Sequence, residues 1–245
     1  MLTVIGHRGM GSNPNRDAND YPENTLSSFE AAIACGVDGI EFDVQVVFDR
    51  GIKDGPNSRV IVMHDDSVDR TTNGKGLVRE IDFADIRKLD AGKGQIVPML
   101  EEVLNLVDRR AVCNIEMKGV GIAEPVARIM QRYISEKGWR NNDFLISSFS
   151  VSELKAFRDL MPSAMLGLLI NDDEGWLENC RKIGAYSVNP NKKVVNADFV
   201  KKAHENGLKV FAWTVNSIVG INKMKILGID GIFTDFSEEA MSRIS

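Results

Sequence analysis

From about residue 110 onward the chain alternates short β-branched runs with stretches whose apolar residues recur at helical spacing. AVCNIEM (111–117) precedes IAEPVARIMQRYISEKG (122–138), FLISSF (144–149) precedes VSELKAFRDLM (151–161), and MLGLLI (165–170) precedes EGWLENCRKIG (174–184). YSVNP (186–190) leads into NADFVKKAHENG (196–207) and KVFAWTV (209–215) into SIVGINKMKILG (217–228), before GIFTDF (231–236) closes the series. Strands alternating with helical patterns predict βαβ units and a parallel sheet. Gly138, Gly184, Gly207 and Gly228 stand where the helices should stop, as residues suited to a left-handed cap.

The first third adds a strand at TVIGHR, a helix at NTLSSFEAAIACG ending at Gly36, and a second strand at GIEFDVQVVF. The run RVIVMHDD breaks the rhythm. Only DRGIKDGPNSR (49–59) separates Phe48 from Val60, with turn signals and no helical pattern. A parallel crossover needs about a dozen residues and usually a helix, so VIVMHD is expected to return antiparallel to strand 2. Setting it aside leaves eight strands at TVIG, IEFD, CNIE, LISS, LGLL, SVNP, VFAW and GIFT. The expectation is a TIM-type (β/α)₈ barrel with a β-hairpin extension after strand 2, one domain over residues 1–245.

The 245 residues, 43% hydrophobic and 27% charged, suit a soluble domain with a sizeable core. A net charge of −5 argues against a nucleic-acid binder, which needs a basic surface to displace phosphate counterions. The start MLTVIGHRG has no basic-then-apolar leader, and no apolar run approaches the ~18 residues of a membrane span. Cys35, Cys113 and Cys180 are widely spaced and read as small buried hydrophobes. A cytoplasmic location is the expectation; the oligomeric state stays open, a homodimer among the options.

Alternation carries the chemistry. In GIEFDVQ, Ile40, Phe42 and Val44 share one face and Glu41, Asp43 and Gln45 the other; in CNIEMK, Cys113, Ile115 and Met117 oppose Asn114, Glu116 and Lys118. The apolar faces must meet the outer helices, so the charged faces point into the barrel. Acids there are costly unless paired or bound to a cation. Glu41, Asp43 and Glu116 from neighbouring strands make a hard-oxygen cage suited to Mg²⁺ or Ca²⁺. A buried salt-bridge layer with Lys118 and Arg8 fits the same pattern.

His7 ends strand 1 and His64 ends the hairpin return, so both should arrive at the C-terminal mouth where barrel enzymes keep their sites. Two imidazoles there can act as general base and general acid. His204, on a helix, lacks that context and reads as structural. Arg8 and Lys118 at the same mouth suit a phosphate oxyanion. In PENTLSSF (22–29), Asn24 or Thr25 can cap the helix, and Glu23 could reach a metal or a substrate hydroxyl. Phe149 and Trp213, at strand ends, are candidate pocket walls with core packing as the competing reading.

These residues resemble the glycerophosphodiester phosphodiesterase family along the whole chain. The resemblance is carried by HRG (7–9), PENTLSSF, GVDGIEFDVQ (36–45), MHDDSVDRTTNGKG (63–76) and LDAG (89–92). It continues in VPMLEEVL (97–104), NIEMK (114–118), ISSF (146–149), WTVN (213–216) and GIDGIFTD (228–235). It implies a barrel enzyme that hydrolyses glycerophosphodiesters to glycerol 3-phosphate and an alcohol. It implies metal binding by Glu41, Asp43 and Glu116, acid/base work by His7 and His64, and phosphate binding by Arg8 and Lys118. The sequence departs from the family in the longer turn at 49–59 and in TDFSEE, which lacks the proline that usually follows the aspartate. Three alternatives stand beside this reading. One is a lysophospholipase D, which would need an apolar collar that no run supplies. Another is a lyase like the phosphatidylinositol-specific phospholipases. The third is a non-catalytic phosphodiester binder, which would have no need of a proton donor and acceptor pair.

Overall fold

The computed structural model describes residues 2–11, 21–48 and 58–244. Its strands are β1 (Thr3–Gly6), β2 (Gly39–Val47), β3 (Arg59–Val62), β4 (Val112–Met117), β5 (Phe144–Ser148), β6 (Met165–Ile170), β7 (Ser187–Pro190), β8 (Lys209–Ala212) and β9 (Gly231–Thr234). All but β3 are parallel, in the order β1-β9-β8-β7-β6-β5-β4-β2, and β1 also pairs with β2 through Ile5↔Gly39, so the ring closes. This is the expected TIM barrel.

Its helices are α1 (Leu26–Ala34), α2 (Phe83–Ile86), α3 (Leu100–Val107), α4 (Ala123–Lys137), α5 (Val151–Leu160), α6 (Trp176–Ile183), α7 (Ala197–Glu205), α8 (Ile218–Leu227) and α9 (Ser237–Ile244). All but α2, whose Ile86 joins a separate cluster with Val47 and Ile61, pack on the outward faces of the strands. Val4, Ile40, Phe42, Val44, Cys113, Ile115 and Ile146 share one buried cluster with helix residues such as Phe29, Leu104, Met130 and Phe157. Each such side chain gains roughly 1.5–3 kcal/mol on burial. The alternate positions Ile5, Leu145, Phe211 and Phe233 form a smaller core inside the barrel.

β2 serves two partners. Its first half pairs in parallel with β4, from Gly39↔Val112 to Val44↔Met117, and its second half runs antiparallel to β3, from Val44↔Val62 to Val47↔Arg59. The antiparallel return expected for VIVMHD is therefore present. Met63 N–H then donates to Asp43 O at 2.9 Å, which sets the next residue, His64, beside the inward end of β2. Gln45 grips the chain on both sides of that histidine, donating from Nε2 to Met63 O at 3.0 Å and Asp65 O at 2.7 Å. Of the long turn at 49–59, residues 49–57 lie outside the described residues.

Four of the helices carry their own start signal among the described residues. Thr25, Ser150, Asn196 and Ser217 cap α1, α5, α7 and α8 with side-chain oxygens. Helix α4 starts at Ile122 without one. Its free N–H groups at Gly121, Ile122 and Ala123 instead donate to the buried carboxylate of Glu153 on α5, at 2.8, 3.2 and 3.1 Å. His204 pairs with Asp230 at 2.8 Å on the surface. No helix among the described residues is long and apolar enough to cross a membrane.

Candidate active site

The site is assembled where β1, β2 and β4 end. After β1 the chain turns sharply through His7, Arg8 and Gly9. Arg8 has φ 52° and Gly9 φ 86°, and a Cβ on Gly9 would lie 2.5 Å from Ser28 Oγ, so only glycine fits. Ser28 Oγ donates to Arg8 O at 3.0 Å and accepts from Met10 N–H at 2.8 Å, while Asn24 N–H donates to Arg8 O at 3.1 Å. HRG and PENTLSSF are thus one locked unit. Asn24, at φ 57°, also turns its carboxamide to Asp43, donating from Nδ2 to Oδ2 at 2.9 Å.

Glu41, Asp43 and Glu116 are buried and offer oxygens that all lie within 4.8 Å of one another. Asp43 and Glu116 are lateral neighbours in the β2–β4 ladder. The salt-bridge layer is also present: Arg8 Nε lies 3.4 Å from Asp43 Oδ2, Lys118 Nζ lies 3.2 Å from Asp43 Oδ1, and Lys118 reaches Glu116 Oε1 as well. Yet Glu41 is left short of partners. Its Oε2 accepts the Arg8 backbone N–H at 2.9 Å, and its buried Oε1 has no hydrogen-bond partner. Burial, then the Asp43 charge, push the Glu41 carboxyl up to about 8. Ionised together, three acids facing two cations would carry more negative charge than the layer cancels. A hard divalent cation fits that deficit and that all-oxygen donor set, so the triad can hold one.

Both histidines are oriented by carboxylates. His7 Nδ1 donates to Asp235 Oδ1 at 2.7 Å, and its Nε2 faces the triad, 3.9 Å from Glu41 Oε2. His64 Nδ1 donates to Asp65 Oδ1 at 2.6 Å. Their environments pull in opposite directions. Burial would lower His7, but the Asp235 hydrogen bond and the Glu41 charge outweigh it and leave the imidazole above its usual value. Burial lowers His64, and Arg8 and Lys118 reinforce that against Asp43 and Asp65.

A cavity of about 230 Å³ gathers His7, Arg8, Glu41, His64, Glu116 and Lys118 on its polar side. Phe149, Leu169, Trp213 and Phe233 form its apolar wall. Phe149 and Trp213 meet edge to face with centroids 5.7 Å apart, and the indole N–H donates to Asn189 O at 2.8 Å. A larger groove of about 750 Å³ touches this cavity only through Lys118 and holds neither histidine nor any triad acid. The chemistry belongs to the smaller one.

Glu23 stands at the mouth but faces two arginines, accepting from Arg8 Nη1 at 2.8 Å and from Arg70 Nη1 at 2.7 Å. Asp65, Arg70 and Asp235 are participants that strand alternation does not find. Asp235 had a usable signal, since it follows β9 as His7 follows β1. Asp65 had one too, as the neighbour of His64. Arg70, in a turn of mixed polar residues, had none.

Residues 7–239 match the glycerophosphoryl diester phosphodiesterase family. A glycerophosphodiester phosphodiesterase of Caldanaerobacter subterraneus is 35% identical over 98% of this chain and 97% of its own length. One from Bacillus altitudinis is 36% identical over 98% and 97%. Among solved structures, a phosphodiesterase of Oleispira antarctica in complex with the product sn-glycerol-3-phosphate superposes with a TM-score of 0.84 at 25% identity, covering 100% of this chain and 97% of that one.

Proposed function

The chain belongs to the glycerophosphoryl diester phosphodiesterase family, a family of enzymes, and from that premise we propose that it hydrolyses glycerophosphodiesters to glycerol 3-phosphate and an alcohol with the help of a divalent cation, Mg²⁺ or Ca²⁺. One observation carries the reading. Two histidines, each tied through Nδ1 to its own carboxylate, face a single cavity that also presents a guanidinium and an ammonium. The glycerol 3-phosphate held by the Oleispira relative supports the product.

Glu41, Asp43 and Glu116 would hold the cation, which when bound supplies Lewis acidity toward a phosphoryl oxygen. Arg8 and Lys118 bind the phosphate and stabilise the charge that grows as the phosphorus centre becomes five-coordinate. We assign His7 as the base that takes a proton from the nucleophile, water or the glycerol 2-hydroxyl. His64 is the acid that protonates the leaving alkoxide. Without a cation the two environments hold His7 above and His64 below the usual imidazole value, the reverse of what a base and an acid require. A positive charge beside Glu41 would lower His7 toward the range of a base. Phe149 and Trp213 wall the substrate.

The test is turnover of glycerophosphocholine with Mg²⁺ or Ca²⁺, with and without chelator, followed by phosphorus NMR. Glycerol 3-phosphate and choline are the expected products. Release of phosphocholine, or no turnover with either cation, would refute the assignment.

A further inference from the structure

Arg70 lies outside the cavity, yet its guanidinium holds two carboxylates from distant parts of the chain. Nε and Nη2 donate to Asp65 Oδ2 and Oδ1 at 2.6 and 2.9 Å. Nη1 and Nη2 donate to Glu23 Oε2 and Oε1 at 2.7 and 2.8 Å. Each carboxylate in turn holds a side chain of the site: Glu23 Oε1 accepts from Arg8 Nη1 at 2.8 Å, and Asp65 Oδ1 accepts from His64 Nδ1 at 2.6 Å. The result is a continuous path, Arg8–Glu23–Arg70–Asp65–His64, bridging the turn after β1 and the segment after β3.

An arginine at a phosphate site invites the reading that it binds phosphate. The geometry speaks against that. Four of its five N–H donors are committed to carboxylates, and it is not among the residues lining the cavity. A planar fork between two carboxylates fixes their separation, which an ammonium cannot do. We propose that Arg70 is a positioning residue that sets His64 relative to Arg8, so that the proton donor and the phosphate anchor meet one substrate as a unit. The inference rests on the proposed role of His64.

The experiment uses Arg70→Met and Arg70→Lys in the full chain, each checked for an intact thermal transition. With glycerophosphocholine, Arg70→Met should lose about 10–100-fold in kcat, the scale of a small misplacement of a catalytic group. KM and the inhibition constant of glycerol 3-phosphate should stay within about threefold, because Arg8 and Lys118 remain. Arg70→Lys should recover only part of kcat. In a His64→Ala background, Arg70→Met should add less than about a twofold loss, since residues acting as one unit are not additive. A loss that appears in KM and in the inhibition constant, or one that persists undiminished without His64, would overturn the proposal. The ¹⁵N spectrum of the His64 imidazole gives a readout independent of activity. The wild type should show one tautomer protonated at Nδ1, and Arg70→Met a mixture. An unchanged spectrum in Arg70→Met also counts against the proposal. Full turnover by His64→Ala alone would strike the acid assignment, leaving the spectrum to decide whether Arg70 orients the ring.

Discussion

His7 and Asp235 stand 228 positions apart in the chain, and their side chains meet at 2.7 Å. The contact joins the strand that opens the barrel to the strand that closes it, since β1 and β9 pair from Thr3↔Gly231 to Gly6↔Thr234. It also fixes the tautomer of His7, because a carboxylate can only accept and so requires Nδ1–H. Asn216 holds the other oxygen of Asp235 at 2.5 Å. Asp235→Asn should therefore preserve the fold and lose about 10²–10⁴ in kcat, the usual worth of a general base step. Steady-state kinetics beside a thermal melt would check this; a loss of stability equal to the loss of rate would point to folding instead.

Cation binding should be visible without any turnover. A ligand that binds only the folded state raises the melting temperature with its concentration. Mg²⁺ or Ca²⁺ should stabilise the wild type in this way and leave Glu116→Gln unmoved, because that change removes one hard ligand of three. Equal shifts in both proteins would place the cation elsewhere.

Asn24 combines a left-handed backbone with a hydrogen bond to Asp43. The two contributions separate by substitution. Asn24→Gly keeps the backbone at ease and loses the hydrogen bond, for roughly 1–3 kcal/mol. Asn24→Ala loses the bond and adds about 1 kcal/mol of left-handed strain. Denaturant titrations should rank wild type above Gly above Ala, and Ala as stable as Gly would contradict the strain argument.

Among the described residues Glu153 is the only side-chain cap of α4, and it reaches across from α5. Glu153→Ala strands three N–H donors, those of Ile122 and Ala123 buried, and should cost about 2–4 kcal/mol, with the largest loss of amide-exchange protection in the first turn of α4. Uniform loss across the barrel would argue for a general packing defect.

Arg70 should also govern acid tolerance. Burial raises Glu23, but the hydrogen bonds from Arg70 and the charge of Arg8 overcome this and hold it below the ordinary carboxylate range. Asp65 is held below that range as well, chiefly through its hydrogen bonds to Arg70. Carboxylates depressed on folding add stability that is complete above their unfolded values, about 4, and drains away as pH falls through the folded ones. Removing Arg70 deletes part of that difference, so the acid-unfolding midpoint of Arg70→Met should move to higher pH. Circular dichroism over an acid titration measures it directly.

Much of this site was legible as sequence because a barrel strand is a short, regular object. Alternation alone turned Glu41, Asp43 and Glu116 inward, and the shortness of the 49–59 segment forced the antiparallel return that delivers His64. The groups that orient the histidines escaped for a common physical reason. Asp65, Arg70 and Asp235 act through contacts between turns that no local period reports. Glu23 illustrates the same limit: its place at the mouth follows from its position before α1, while its two arginine partners follow only from how separate loops meet.

The way β2 ends has a further meaning for how such a barrel can vary. The main chain of Asp43 anchors Met63, and the side chain of Gln45 clasps both neighbours of His64. The histidine is therefore registered by the strand it returns to, not by the turn that brings it back. The reacting groups therefore keep their spacing whatever the length of chain between Phe48 and Ser58, the two residues of this connection that line the groove beside Lys118. That frees the length of the β2–β3 connection to evolve separately from the rate of the reaction, and it makes the sequence between Phe48 and Ser58 a place to graft a new recognition segment.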